Sequence, residues 1–599
     1  MVRTIKHQLR RTSAFCLLPS DFLLLLLVLL AYTPIWHAGF LWDDNVMLTA
    51  NPCIVGPLGL KEIWTTNAAD ICPLTTTTLW FEHALWGLAP LQYHFVNILI
   101  HGACAAVLWR VLRRLRVQGA WLGASLWALH PVQVESVAWI TEMKNTESGL
   151  FFLLSILFFV KYLTPISHDP PNNARRAGWN YGFSVLFAAL AMATKSSTVV
   201  LPVVLCLCAW WIERRWNWRN LARVMPMLLM SVAASALSIW TQTLQPGIQT
   251  DPQWVRPWPQ RLATAGDAVW FYLGKLLWPD PLITVYPRWQ IDVGQWESYS
   301  PVAAVILFFL LLWLMWRSAL GGSRACFFAF AYFIVALLPV LGLIDPFISR
   351  YSLVFDHFQY LASIGPLALA GAGLARAWDL LSNSNADTIL SLASKNRWLR
   401  PALCAGLLLV LGFVTWQRTW AYQSEEILWR DTVAKNPDCW LGHYNVGNAC
   451  IQKGQIDDAI VQYQKSLEIN PNYAEAHNNL GNALFRKGKL NASIAEYQKT
   501  LEINPNLAET RTNLGHALLQ KGQLDAAIEQ YQEAVKSGPN YALAHANFGV
   551  ALLQKGRVDQ AITEFEEALR LNPNLGPVRD LLAKAMERQK AKGKRQNEE

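Results

Sequence analysis

Two adjacent carboxylates, Asp43 and Asp44, follow the first long apolar run of the chain, Leu17 to Trp36. Acids are costly beside a bilayer and are seldom placed there without a task. A carboxylate pair at a membrane surface can take the proton of an attacking hydroxyl, or bind a metal ion or cationic group. The competing reading is a solvated loop whose two acids cap helices.

The elements that must position this pair follow from composition. At 599 residues the chain exceeds one core, and it is 53% hydrophobic with 29 Trp and only 16% charged residues. That balance is that of a polytopic membrane protein. The net charge of +9 divides unevenly: residues up to Arg418 carry 30 basic and 20 acidic side chains, the remainder 21 and 22. The excess therefore belongs to membrane loops, which excludes a basic soluble face and disfavours nucleic acid as a partner. Ten scattered cysteines form no CxxC pair, which disfavours a structural zinc site. Cys206 and Cys208 read as small hydrophobes inside a span. Cys53 and Cys72 share one polar loop and could pair in an oxidising compartment. The basic start MVRTIKHQLRR, with no small-residue cleavage site after the apolar stretch, reads as an uncleaved anchor.

Apolar runs long enough to span lie near 17–36, 92–113, 119–137, 148–163, 179–195, 198–212, 224–241, 301–317, 324–344, 358–378 and 400–418. Leu262 to Pro279 is ambiguous, because it carries Asp267 and Lys275. If it lies along the interface, one set of loops holds 21 Lys/Arg and the opposite set only eight. The positive-inside rule then puts the N-terminus in the cytoplasm and the C-terminus, with loops 37–91 and 242–300, on the other side. The expected fold is all-α: a membrane bundle of about 11 spans over 1–419, followed by a helical solenoid over 420–599.

The solenoid is written as a period. Pairs ending at Pro437, Pro471, Pro505, Pro539 and Pro573 recur every 34 residues. Gly447, Gly481, Gly515 and Gly549 keep that spacing, as do Gly454, Gly488, Gly522 and Gly556. The small residues Ala459, Ser493, Ala527 and Ala561 and the aromatics Tyr463, Tyr497, Tyr531 and Phe565 also keep it. This is the tetratricopeptide signature. Repeats run over 440–473, 474–507, 508–541 and 542–575, with a half repeat at 424–436 before them and a cap helix at 577–590 after. Asn445, Asn479, Asn513 and Asn547 fall at one position of the first helices. A carboxamide column lining a groove can donate to and accept from an extended peptide; the alternative is a consensus surface position without a ligand.

On the proposed outer side, polar islands punctuate the membrane half: LWDDNVMLTANP (41–52), CPLTTTTLWFEHALWGLAPLQYHFVNILIH (72–101), LHPVQVESVAWITEMKNTESGLFFLL (129–154), ATKSSTVVLPV (193–203), FYLGKLLWPDPLITVYPRW (271–289) and ISRYSLVFDHFQYLASIG (348–365). In order and wording they resemble the transmembrane and tetratricopeptide repeat-containing O-mannosyltransferases, and their bacterial relatives with the C-type glycosyltransferase fold. The combination of islands and repeats carries the resemblance over nearly the whole chain. It implies a polyprenyl-phosphate sugar donor held in the bilayer, and inverting transfer of a hexose such as mannose to a hydroxyl of a protein acceptor. The site would face the periplasm in a bacterium or the lumen of the endoplasmic reticulum in a eukaryote. No cofactor beyond a divalent metal ion as a candidate is implied.

Carried over, Asp43 and Asp44 match the acidic pair of the first outer loop, one of them the general base. Lys195, Arg288, Arg350 and His357 are the cations available for the departing phosphate. Glu142 and Lys144 match the second island, with Asp356 and Tyr360 at the site rim. One departure stands out: relatives show a Lys-Asp pair where this chain has Lys144 and Asn145, so the acid's task falls to Glu142 or Glu147, or is absent. A different class, a non-catalytic membrane scaffold displaying repeats for envelope assembly, explains the solenoid but leaves the islands without purpose. No paired, broken spans suggest a transporter, and no GxxxxGK[ST] loop suggests an ATP-driven pump.

Overall fold

The computed structural model describes residues 20–66, 72–165, 170–243, 256–317, 322–343, 351–382 and 398–598. It is helical throughout, with no strand among the described residues, and divides into two compact units, Met1–Asp431 and Thr432–Glu599.

In the first unit, α1 (Ser20–Ala31), α2 (Leu60–Thr65), α3 (Pro73–Trp86) and α4 (Pro90–Arg114) come first. A broken pair follows, α5 (Ala120–Ala128) and α6 (Val134–Ala138), then α7 (Met143–Leu163), α8 (Pro170–Thr194), α9 (Leu201–Glu213) and α10 (Trp218–Thr243). The unit closes with α11 (Trp258–Leu277), α12 (Ser300–Arg317), α13 (Ser323–Leu337), α14 (Ile364–Ser382), α15 (Leu399–Thr419) and α16 (Glu425–Lys435), the last reaching past Asp431. Among the described residues, seven segments are long and apolar enough to cross a membrane: Pro90–Arg114, Met143–Leu163, Ser196–Glu213, Trp218–Thr241, Trp296–Arg317, Ser323–Val340 and Leu399–Tyr422. The ambiguous stretch forms α11, which is not one of the seven. It buries Ala265, Val269 and Tyr272 and exposes Leu262, Trp270 and Leu277.

The run at 119–137, expected as one apolar helix, is broken into two. Pro131 has no N–H to continue a helix and holds His130 extended, at φ −76° and ψ 132°. Helix α5 therefore stops at Ala128, a turn follows, and α6 restarts at Val134. Breaking a helix inside a bilayer strands carbonyls that must be satisfied by protein. Asn97 of α4 does this, its Nδ2 donating to the carbonyls of Ser136, Val137 and Trp139 at 3.2, 2.9 and 3.3 Å. Elsewhere small residues let helices touch: a Cβ on Gly371 of α14 would stand 2.6 Å from the Gly123 nitrogen of α5. Cys53 and Cys72, which could pair by sequence, are not joined by a disulfide, and both are buried. Cys53 packs with Ile63, and Cys72 caps the start of α3.

The second unit stacks α17 (Trp440–Gln452), α18 (Ile456–Ile469), α19 (Ala474–Arg486), α20 (Leu490–Ile503), α21 (Ala508–Gln520), α22 (Leu524–Ser537), α23 (Ala542–Gln554), α24 (Val558–Leu571) and α25 (Gly576–Glu598). The two glycine columns have separate reasons. A Cβ on Gly447, Gly481, Gly515 or Gly549 would meet the ring of Tyr463, Tyr497, Tyr531 or Phe565 at 2.6 to 2.8 Å. Gly454, Gly488, Gly522 and Gly556 turn the chain between paired helices at φ between 72° and 84°.

Candidate functional site

The chain leaves α1 through a turn and reaches Trp42 at φ +26°, an uncommon conformation for a residue with a large side chain. Three aromatic rings hold it there: Trp139, Tyr351 and Trp429, with centroids 5.7, 5.7 and 5.2 Å away. The two aspartates that follow differ. Asp44 is fully buried; Oδ2 accepts the Leu41 N–H at 2.7 Å and Oδ1 accepts the Thr141 N–H at 3.0 Å. Burial pushes its carboxyl up to about 7, although both donors pull the other way. Asp43 is half-buried and lies within electrostatic reach of Lys144.

A chain of contacts runs inward from there. Lys144 Nζ pairs with Glu142 Oε1 at 2.9 Å, Asn145 Nδ2 donates to Glu142 Oε2, and Lys195 Nζ donates to Asn145 Oδ1. Burial alone would raise the Glu142 carboxyl, but His357, Lys144 and Lys195 outweigh it and hold the group well below the usual carboxylate range. Asn145, where relatives were expected to carry an acid, thus bridges carboxylate and ammonium. Glu147 faces elsewhere, its oxygens accepting from the hydroxyls of Thr75 at 3.0 Å and Thr78 at 2.7 Å on α3.

The third side of the site comes from residues just before α14. His357 donates its N–H to Glu135 Oε2 at 2.9 Å, with Nδ1 3.4 Å from Oε1. Asp356 is buried and accepts from the Tyr286 hydroxyl at 2.9 Å; burial first, then Glu135, pushes its carboxyl above the ordinary value. Tyr360 is a core residue, its hydroxyl 2.8 Å from His101 Nδ1 and its carbonyl accepting from Trp127 Nε1 at 3.0 Å. Asn145, Lys195, Ser197 and His357 line one small cavity with Phe152 and Tyr360.

Of the residues expected from sequence, Asp43, Asp44, Glu142, Lys144, Lys195, Asp356 and His357 thus belong to one centre. Arg288 is exposed two residues beyond Tyr286, and Arg350 lies outside the described residues. Glu135 and Asn97 were missed as positioning residues. The break at His130-Pro131 was the available signal, since a broken span needs polar side chains around it. Among the described residues no group of three or more His, Cys, Asp or Glu is placed to hold a metal ion, so no step is drawn through one.

In the solenoid the asparagine column is partly committed within the protein. Asn479 Nδ2 donates to Asn448 Oδ1 at 3.0 Å and the Tyr444 hydroxyl at 3.2 Å; Asn513 Nδ2 donates to Asn482 Oδ1 at 3.2 Å. Asn445 is buried with its Nδ2 unpartnered among the described residues, and Asn547 is half-buried.

Fold and site together define a polytopic, all-helical membrane protein with a C-terminal tetratricopeptide solenoid. The family description "TPR repeat" matches residues 447–488 and 481–522, and "Tetratricopeptide repeat" matches 512–575. Protein O-mannosyl-transferase TMTC2 of Mus musculus is 29% identical over 180 residues, 28% of this chain and 21% of that protein. Protein O-mannosyl-transferase Tmtc3 of Drosophila melanogaster is 24% identical over 472 residues, 66% and 48% of the two chains. Tmtc1 of the same organism is 22% identical over 546 residues, 74% and 60%. The chain is thus similar to proteins named O-mannosyl-transferases, and its matches span from 21% to 60% of these relatives' length.

Proposed function

We propose that the first unit is an inverting glycosyltransferase. It moves a hexose, mannose by kinship, from a polyprenyl phosphate to a hydroxyl of a protein acceptor on the non-cytoplasmic face, and the repeats bind that acceptor. One observation supports the reading: the two aspartates differ in burial and surroundings. Asp44 spends both oxygens on backbone N–H groups, whereas Asp43 remains at the half-buried rim beside Lys144.

Asp43 accepts the proton of the acceptor hydroxyl as that oxygen bonds to the anomeric carbon. The bond from this carbon to the phosphate oxygen breaks on the opposite face, and polyprenyl phosphate departs with the electron pair. A phosphate is already a competent leaving group, so the protein's share is to supply positive charge where it accumulates. Lys144 and Lys195, linked through Glu142 and Asn145, support that role. The relatives' printed names support the reaction class, and the tetratricopeptide repeats support a protein ligand.

Purified protein given polyprenyl-phosphate mannose and a Ser/Thr-rich acceptor tests this. Asp43→Asn is expected to lower turnover by about 10²- to 10⁴-fold with its melting temperature unchanged. Wild-type turnover in that variant would overturn the assignment.

A further inference from the structure

A cavity of about 500 Å³ lies in the first unit away from the polar centre, between α4, α7, α9, α13 and α14. That size is usual for a small-molecule site. Its walls are apolar, with Leu112, Leu153, Ile156, Trp211 and Phe328 among them, and no carboxylate lines it. Its rim is different. Arg116 and Arg376 both line the cavity and are both exposed, and neither guanidinium has a protein partner among the described residues.

The two arginines are fixed relative to each other by close backbone packing. Arg116 turns the chain after α4 at φ +58°, and Gly119 follows at φ +61°. A Cβ on Gly119 would stand 2.5 Å from the Gly371 carbonyl oxygen, five residues before Arg376. The gap between two unpaired guanidinium forks over an apolar slot is complementary to a phosphate carrying hydrocarbon chains. Zwitterionic headgroups would add an ammonium where two cations already stand.

We propose that this slot holds one anionic glycerophospholipid of the surrounding leaflet, its acyl chain between α7, α9 and α13 and its phosphate between Arg116 and Arg376. This site is distinct from that of the sugar donor. His101, near the polar centre, and Arg116 are separated by 15 residues along and just past α4, about 22 Å at helical rise, so one phosphate cannot serve both.

Native mass spectrometry of the full chain released from nanodiscs of mixed phosphatidylglycerol and phosphatidylcholine, with matched oleoyl chains, tests it. One phosphatidylglycerol is expected to stay bound per chain. Arg116→Gln with Arg376→Gln is expected to lower its retention about thirtyfold. Gly373→Trp is a second variant: a Cβ at Gly373 meets nothing within 4 Å, so the indole can enter the slot without displacing backbone. It should abolish retention while sparing the fold. Equal retention of both lipids, or unchanged retention in both variants, would overturn the proposal. So would displacement of the bound lipid by added polyprenyl phosphate at stoichiometric ratio.

Discussion

At Asp44 the cost of burying a carboxylate is visible in its proton affinity. Its value in the folded protein is about 7 against 3.8 for the free side chain, so the folded state binds the proton more tightly than the unfolded one. Its contribution to stability is therefore complete below pH 3.8 and declines as pH rises toward 7. Asp44→Asn removes this slope, and it also puts an amide where two backbone N–H groups need acceptors. The variant is expected to lose about 1 to 3 kcal/mol through the orphaned donor. Melting curves of detergent-solubilised protein between pH 4 and 8 read both effects, and a variant that melts like wild type with the same slope would refute them. The acidic pair itself was plain in the sequence; which member serves structure was not. That depends on the Thr141 N–H, 97 residues away, and no local pattern reports such a contact. Asn145 was likewise read as a missing acid, because its bridging role exists only once Lys195 is folded beside it.

Among the elements, the solenoid repeats one local solution four times, and sequence periodicity exposes nearly all of it. A close contact of glycine with an aromatic ring recurs in every repeat. Gly481→Ala places a methyl 2.6 Å from the Tyr497 ring, and the ring must move; about 1 to 3 kcal/mol of destabilisation follows, read as lost hydrogen-exchange protection over 474–507. What the period did not announce is a second column, His443, His477, Arg511 and His545, because its residue types vary. Each histidine stands 2.9 to 3.1 Å from the carbonyl of the proline six residues before it, and His477 Nδ1 reaches Glu496 Oε2 at 2.6 Å. Burial raises the Glu496 carboxyl, yet His477 and Lys499 outweigh it and hold the group below its ordinary 4.5. Its contribution is thus present above pH 4.5 and fades as pH falls further. Glu496→Gln should flatten that acid loss in protection over 474–507, once intrinsic exchange rates are divided out; an unchanged acid profile would count against the pairing. The membrane helices were less legible. Hydropathy merges α5 and α6 into one run, although Pro131 separates them.

For the whole molecule, the count of crossings decides which compartment holds each polar cluster, and it turns on α11. This helix is amphipathic in the structure, carrying Asp267 and Lys275 and burying one face. If it lies along the interface, the basic residues divide 21 to eight between the two sets of loops; if it crosses, every later loop changes side and Arg317, Arg324, Arg376, Lys395, Arg397 and Arg400 move to the poorer face. The positive-inside rule predicts the first arrangement, because the second would translocate those six cations. Reporter domains inserted after Gly56 and after the C-terminus should therefore score in the same non-cytoplasmic compartment, and one inserted after Arg215 in the cytoplasm. A C-terminal reporter scoring with Arg215 would show that α11 spans. The repeats could then not meet an acceptor on the face that carries Asp43, and the proposed coupling of solenoid and transferase would fall even if Asp43→Asn proved inactive.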